Sequence, residues 1–244
     1  MTRVLVSGAA GRMGSVISAA IAEHDELELA GRYDPVGGDG VMSTVDALPD
    51  ADVVVDFTNP DVVLDNLRLW QQRGLHAVVG TSGFNPERIA QAEGIFGSGP
   101  PNCLIVPNFS IGAVLSMRFA AEAAPYFQAA EIIELHHDGK VDAPSGTAIA
   151  TAGRIAAAAE QSRAAESTEL VEGARGADVE GVPVHSVRLS GLVAHQEVIL
   201  GGAGETLTIR HDSTDRSSFI PGVLLAVRSV VELPGVTVGL DALL

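Results

Sequence analysis

Arg3-Val4-Leu5-Val6-Ser7-Gly8-Ala9-Ala10-Gly11-Arg12-Met13-Gly14 decides the fold. Residues 3–7 form an apolar, β-branched run of strand type. The run passes without a linker into a glycine turn, and small and apolar residues of helical character follow to about Glu23. A strand that feeds a helix through such a turn opens a parallel sheet covered on both faces. The glycines let the backbone approach a pyrophosphate, and the helix N-terminus stabilises its negative charge. Asp34 ends the second strand about twenty residues further on, where an acidic side chain can accept from a ribose hydroxyl. The spacing Gly-x-x-Gly-x-x-Gly is not the usual fingerprint, and a chain with 27 glycines contains tight turns for purely structural reasons. Position and context therefore carry the reading.

The same alternation of short apolar strands and helical stretches continues through the first hundred or so residues, with strands predicted at 52–57, 76–79 and 102–106. Ligands of such sheets bind beyond the carboxyl ends of the strands. That rule nominates three strand exits: Phe57-Thr58, Gly80-Thr81-Ser82 and Val106-Pro107-Asn108-Phe109. Together with Gly8, Ala9, Ala10, Gly11, Arg12, Met13, Gly14 and Asp34 they form the candidate lining for a nicotinamide dinucleotide. Trp70 and His76 read as structural or surface residues, and Cys103, embedded in Cys-Leu-Ile-Val, as a small buried one.

The second half holds a denser cluster: Glu131-Ile132-Ile133-Glu134-Leu135-His136-His137-Asp138-Gly139-Lys140-Val141-Asp142-Ala143-Pro144-Ser145-Gly146-Thr147-Ala148. It begins as a strand over residues 130–135, turns through Gly139 and Pro144, and enters an alanine-rich helix from Thr147 to about Ala165 with Ser145 as N-cap. The N–H groups of Gly146 and Thr147 then face an anion at a helix N-terminus. Lys140 is the only lysine among fifteen lysines and arginines. A guanidinium stays protonated at any accessible pH, whereas a desolvated ammonium can exchange a proton, so a lone lysine here points to chemistry.

This stretch resembles the signature of the 4-hydroxy-tetrahydrodipicolinate reductases, formerly dihydrodipicolinate reductases, of the diaminopimelate route to lysine. The resemblance extends to the glycine turn, Asp56-Phe57-Thr58, Gly80-Thr81-Ser82-Gly83-Phe84 and Pro107-Asn108-Phe109, and so covers nearly the whole chain. Ser82 departs from the family's more usual threonine but keeps the hydroxyl. The resemblance implies reduction of a small cyclic imine dicarboxylate by NADH or NADPH. His136 is then the proton donor and acceptor, and Lys140 is a second donor that meets a substrate carboxylate. His137 binds substrate, and Ser145, Gly146 and Thr147 hold the other carboxylate. An amino-acid or semialdehyde dehydrogenase of similar architecture lacks the His-His-x-x-Lys followed by Pro-Ser-Gly-Thr. A non-catalytic nucleotide sensor would have lost its proton donors, and none is lost.

Downstream, a polar stretch at 161–172 gives way to period-2 alternation at 183–190, 192–200 and 205–212, separated by short glycine-bearing turns. This predicts an antiparallel meander. With the strand at 130–137 it makes an open mixed sheet carrying the signature helix on one face. The other face of so apolar a sheet needs a cover, and the resemblance implies a homotetramer formed through it. An apolar helix over 219–231 returns to the first domain. The predicted class is thus α/β, a Rossmann-like parallel sheet (residues 1–108 and 215–244) with a second, α+β domain (residues 109–214).

Metal chemistry is not expected. The chain has no His-x-x-x-His or Cys-x-x-Cys spacing, and His136 and His137, adjacent on a strand, face opposite ways. His185 and His195 read as structural, His211 receives no role, and Arg216 is undecided between substrate and a partner such as Asp212 or Asp215. The net charge of −16 over 244 residues argues against nucleic-acid and anionic-membrane surfaces. With neither an apolar span nor a signal-peptide pattern, the expected location is the cytoplasm.

Overall fold

The computed structural model describes residues 1–159 and 168–244. In chain order its main elements are β1 (Thr2–Ser7), α1 (Arg12–Ala22), β2 (Leu27–Tyr33), β3 (Val53–Asp56), α2 (Val63–Gln72), β4 (His76–Val79), α3 (Pro86–Phe96), β5 (Cys103–Ile105), α4 (Ile111–Ala123), β6 (Ala129–His136), α5 (Gly146–Ala158), β7 (Ala177–Val179), β8 (Val182–Arg188), β9 (Ala194–Gly202), β10 (Glu205–Ser213), α6 (Ile220–Ser229) and β11 (Val236–Val238). They fall into two units, Met1–Phe109 with Phe219–Leu244, and Ser110–Ser218.

In the first unit six strands run parallel in the order β11-β5-β4-β3-β1-β2. Strands buried on both faces must be apolar throughout, and Val4, Leu5, Val6, Val53, Val54, Val55, Val78 and Val79 are all fully buried. The pleat sends alternate residues to opposite faces. Leu5, Val54, Ala77 and Cys103 pack under α2 and α3, with Val63, Leu67, Trp70 and Phe96. Val6, Val55, Val78 and Leu104 turn the other way, to the side of α1 and α6, which contact each other. Chain order reverses between β1 and β3, so the glycine turn after β1 and Phe57-Thr58 after β3 sit side by side at the switch point, where such sheets bind ligands. Burial raises the Cys103 thiol pKa, which makes it inert as a nucleophile. Among the described residues, no helix is long and apolar enough to cross a membrane.

The second unit carries a mixed sheet in the order β10-β9-β6-β8-β7, and here the predicted meander is corrected. Only β9 and β10 form an antiparallel hairpin of the expected kind. β6 lies between β8 and β9, parallel to the first and antiparallel to the second. The reason is α5. The chain leaves β6 through α5 and then passes through the short β7, which pairs antiparallel with β8, so that β8 returns beside β6 in parallel and β9 takes the other edge of β6. Ala130 and Ile132 of β6, Val184 of β8 and Val198 and Leu200 of β9 make the face covered by Ala148, Ala152 and Ile155 of α5. The three-residue edge strands β7 and β11 are too short to show a period in sequence. α5 ends at Ala158, short of the predicted Ala165, where Ala159 takes extended backbone (φ −157°, ψ 143°); the first part of the polar stretch at 161–172 lies outside the described residues.

Candidate functional site

The turn after β1 is built for close approach. Gly8 takes φ +78°, and a Cβ on it would stand 2.4 Å from the Phe57 carbonyl oxygen. A Cβ on Gly14 would stand 2.1 Å from the carbonyl oxygen of Gly8, so that glycine lets α1 lie directly on the turn. Gly11 caps α1 without any side-chain acceptor for the first-turn N–H groups, which leaves the positive end of the helix to an outside anion. Ala10, Gly11 and Arg12 are exposed, Met13 is half-buried, and Ala9 is buried in the packing. The Asp34 carboxylate accepts from the Ala10 N–H at 3.2 Å and from Val36 N–H at 3.1 Å, placing it against the turn. A glycine cradle, an uncapped helix start and an adjacent carboxylate fit a dinucleotide's pyrophosphate and ribose.

Around the β3 and β4 exits the organising group is Asp56, whose carboxylate is wholly buried. Its Oδ1 accepts from Thr58 Oγ1 at 2.6 Å, Thr58 N at 3.2 Å and Thr81 Oγ1 at 3.1 Å. Its Oδ2 accepts from Trp70 Nε1 at 3.0 Å and Asn66 Nδ2 at 3.1 Å. Thr58 N also reaches Thr81 Oγ1 at 3.0 Å, which ties the two exits together. Trp70, read as a structural or surface residue, is therefore a buried donor to this carboxylate. The Phe57 ring covers Gly80, where a Cβ would meet the ring at 2.2 Å, and packs 5.4 Å from the Phe109 ring. Thr81, Val106 and Phe109 turn their side chains inward, whereas Ser82 and Pro107 are exposed and Thr58, Gly80 and Asn108 are intermediate.

In the second unit β6 delivers Glu134 and His136 on the face that carries α5. His136 Nδ1 lies 2.5 Å from Glu134 Oε2, and Glu134 is fully buried. Arg188, at the end of β8 in register with His136, grips the same carboxylate with Nη1 at 2.9 Å and Nη2 at 2.8 Å. Ser145 N–H donates to Glu134 Oε1 at 3.1 Å, so the start of α5 hangs on that carboxylate too. Burial pushes the Glu134 carboxyl up, but hydrogen bonds from Arg188, Ser186 and His136 bring it below its ordinary value. Burial lowers the His136 pKa; Glu134 works against this, while the charges of Lys140 and Arg188 add to it. Neutral imidazole is the resting form near pH 7.

His137 lies just past the end of β6, in an exposed turn whose carbonyl accepts from Lys140 N at 3.1 Å. The Lys140 ammonium holds both Asp142 oxygens at 2.7 Å. That contact, above all, lowers the Asp142 pKa. Ser145 caps α5 by accepting from Ala148 N–H at 3.2 Å. Gly146 and Thr147 lie ahead of the first intrahelical acceptor, and a Cβ on Gly146 would meet nothing within 4 Å, so the space beside it is open. Glu134, Arg188 and Asp142 received no role from sequence. The signal was the inward parity of an acid on β6 and a base on β8.

The remaining histidines have partners of their own. His185 Nε2 lies 2.9 Å from Glu131, His195 Nδ1 lies 2.6 Å from Asp212, and His211 Nε2 lies 3.1 Å from Ser110 Oγ. Asp212 is held by Arg210 and His195, while Arg216 is exposed. Among the described residues, no group of three or more His, Cys, Asp or Glu could hold a metal ion.

Two family profiles match the chain end to end: "Dihydrodipicolinate reductase, N-terminus" over residues 2–109 and "Dihydrodipicolinate reductase, C-terminus" over residues 112–244. A 4-hydroxy-tetrahydrodipicolinate reductase of Nocardia farcinica is 56% identical, across 99% of this chain and 98% of its own. One of a Mycobacterium species (strain KMS) is also 56% identical, with the same coverage. Among solved structures, a dipicolinate-bound dihydrodipicolinate reductase from Paenisporosarcina sp. TG-14 superposes with a TM-score of 0.85 at 37% identity, covering 100% of both chains.

Proposed function

The chain belongs to the dihydrodipicolinate reductase family, and from that premise we propose that it reduces 4-hydroxy-tetrahydrodipicolinate to tetrahydrodipicolinate in the diaminopimelate route to lysine. One hydroxyl leaves as water while one hydride and one proton are taken up. When bound, NADH or NADPH supplies the hydride. The observation that carries the reading is the arrangement at residues 134–147, where a histidine backed by a buried carboxylate, the single lysine and a Ser145-capped helix start follow one another along one strand–loop–helix segment.

Each residue then has a task. With Nδ1–H committed to Glu134, His136 takes up a proton at Nε2 and passes it on from there, and an imidazole suits that exchange near neutrality. Lys140 leaves Asp142 for a substrate carboxylate and serves as second donor, because a carboxylate in the same dielectric replaces the ion pair it loses. Gly146 and Thr147 N–H groups, with the Thr147 hydroxyl and the Ser145 cap behind them, hold the other carboxylate, and His137 adds a contact from the turn. Residues 1–108 with 215–244 bind the dinucleotide through Gly8 to Gly14, Asp34, Phe57-Thr58, Gly80-Thr81-Ser82 and residues 106–109. Residues 109–214 bind substrate and assemble a cytoplasmic homotetramer. In support of assembly, Ile133, Leu135 and Ile199 on the face of the sheet away from α5 stay partly exposed in the single chain. The net charge of −16 speaks for small-molecule partners over nucleic acid or membrane.

The test is oxidation of NADH or NADPH on addition of freshly prepared 4-hydroxy-tetrahydrodipicolinate, with sedimentation to measure the assembly. Turnover with at least one cofactor is expected. A folded protein that binds either cofactor yet oxidises neither in the presence of substrate sinks the reading.

A further inference from the structure

We propose that Glu134 and Arg188 are positioning residues: a buried ion pair that fixes which ring nitrogen of His136 exchanges a proton and anchors the loop carrying Lys140. The proposal rests on the functional reading above and deepens it, since neither side chain is asked to touch substrate or cofactor.

The geometry carries it. All of the Glu134 carboxylate's capacity in this face of the sheet is directed. Oε2 takes His136 Nδ1 at 2.5 Å and Arg188 Nη1 at 2.9 Å, while Oε1 takes Arg188 Nη2 at 2.8 Å and the Ser145 N–H at 3.1 Å. A two-pronged guanidinium grip holds a wholly buried carboxylate in its ionised form. An ionised carboxylate can only accept. His136 Nδ1 must therefore carry the hydrogen, and Nε2 is left as the atom that takes up and releases the catalytic proton.

The same arginine reaches further. Its Nη2 donates to the Asp142 carbonyl oxygen at 2.6 Å and its Nη1 to the Val187 carbonyl at 2.8 Å. Asp142 in turn holds the Lys140 ammonium. One guanidinium thus sets His136 through a carboxylate, the Lys140 loop through a carbonyl, and the start of α5 through Glu134 and Ser145. A purely structural ion pair has no need to end on the ring nitrogen of a proton-transfer residue. Lysine in place of Arg188 has no fork to serve both carboxylate oxygens and the carbonyl at once.

Glu134→Gln tests the proposal. The Gln oxygen belongs at the Oε1 position, where Arg188 Nη2 and the Ser145 N–H both donate, so its NH2 group takes the Oε2 position and faces His136 Nδ1, which becomes an acceptor and drives the ring proton to Nε2. In ligand-free protein labelled with 15N-histidine, His136 is identified among the seven histidines by its absence in His136→Gln. It is expected in the Nδ1–H form in the wild type and the Nε2–H form in Glu134→Gln. The variant's kcat should fall by about 10²–10⁴, the range of a lost general acid–base, with KM for substrate changed far less because the carboxylate contacts remain. Arg188→Lys keeps a positive charge beside Glu134, so it should retain the Nδ1–H form and lose less activity than Glu134→Gln. An Nε2–H wild type overturns the proposal even if a variant fails to fold, as does Glu134→Gln with an unchanged tautomer and near-normal kcat. A wild type that never oxidises cofactor in the presence of substrate sinks the functional reading alone, and the tautomer measurement still decides the positioning.

Discussion

Each unit buries one carboxylate completely near the exit of a strand, Asp56 on β3 and Glu134 on β6, and they are satisfied in opposite ways. Asp56 is surrounded by neutral donors, the hydroxyls of Thr58 and Thr81, the amide of Asn66, the indole of Trp70 and a backbone N–H. Glu134 is met by a guanidinium and an imidazole besides the Ser145 N–H and the Ser186 hydroxyl. Both solutions offset the cost of desolvating a carboxylate. The first fixes shape, because every partner keeps its proton at any working pH, and its product is a pair of strand exits held in one place. The second includes an imidazole, which can gain and lose a proton beside a guanidinium that cannot, so on the proposed function the environment of the carboxylate also controls an acid–base group. On the proposed function, the first unit is organised for holding and the second for proton transfer.

If that division is right, the largest effects on rate come from the second unit. His136→Gln should lower kcat and kcat/KM together by about 10²–10⁴, or about 3–5 kcal/mol of activation free energy. His137→Gln, in an exposed turn, should act mainly on KM. Lys140→Arg should not restore turnover, since it keeps the charge but loses the compact, titratable head. Steady-state kinetics with substrate varied at saturating cofactor separates these profiles. Equal effects on KM from the two histidine changes would undo the assignment.

Asp56→Ala, by contrast, should show in stability. Trp70 Nε1, Asn66 Nδ2 and Thr81 Oγ1 would be left facing a buried gap. Unsatisfied donors cost about 1–3 kcal/mol each before relaxation and water entry, and a net loss of about 2–4 kcal/mol is expected from denaturant unfolding of the first unit. Cofactor affinity should weaken with it as Thr58 and Thr81 loosen, while the His136 ring nitrogens keep their wild-type signals. A shift in those signals would show that the two carboxylates are not independent.

The two units also differ in how far their sequence reveals them. The first was legible almost residue by residue, because glycine turns and valine runs are local signals and its parallel order follows from them. Most of the second unit's site was legible from one contiguous segment, residues 131–148. What escaped was Arg188, which lies 54 positions from Glu134 and on a strand whose neighbour was misassigned. In a meander β8 would have paired with β9, leaving Arg188 an ordinary strand-end cation. Parity could have found it. Val182, Val184 and Arg188 share the inward face of β8 as Ala130, Ile132 and Glu134 share that of β6, and an inward acid and an inward base require each other.

Acid should separate the units. In the second, the His136 and His211 pKa values are lowered chiefly by burial. Glu131 and Glu134 are lowered against the opposing effect of burial by their hydrogen bonds to Arg175 and His185, and to Arg188, Ser186 and His136 respectively. A depressed folded-state pKa gives stability that is complete above the unfolded value and is lost as pH falls through the folded one. The histidine contribution therefore declines as pH drops below about 6.5 and the carboxylate contribution below about 4.3. In the first unit the His76 pKa is lowered, again by burial with Asp52 opposing. Amide hydrogen exchange between pH 7 and pH 4, corrected for intrinsic rates, should show β6, β8 and β9 losing protection before β1, β3 and β4. Protection lost first in the parallel sheet would contradict the division.

The smallest effect concerns Asp34, a carboxylate the first unit brings against its glycine turn. Its carboxylate accepts from Ala10 N–H and Val36 N–H, which leaves lone pairs for the ribose hydroxyls of NADH and a negative charge facing the additional phosphate of NADPH. Two substitutions separate those contributions. Asp34→Asn keeps an oxygen for the Ala10 N–H and removes the charge, so it should shift the affinity ratio toward NADPH by about tenfold or less, the scale of a charge interaction near solvent. Asp34→Ala should shift the ratio in the same direction and also weaken both cofactors, because the turn loses its tether to Ala10. Dissociation constants for both cofactors in wild type and both variants decide the matter. An unchanged ratio in both means that Asp34 only shapes the turn. The first unit would then hold its ligand by backbone alone, in sharper contrast with the second.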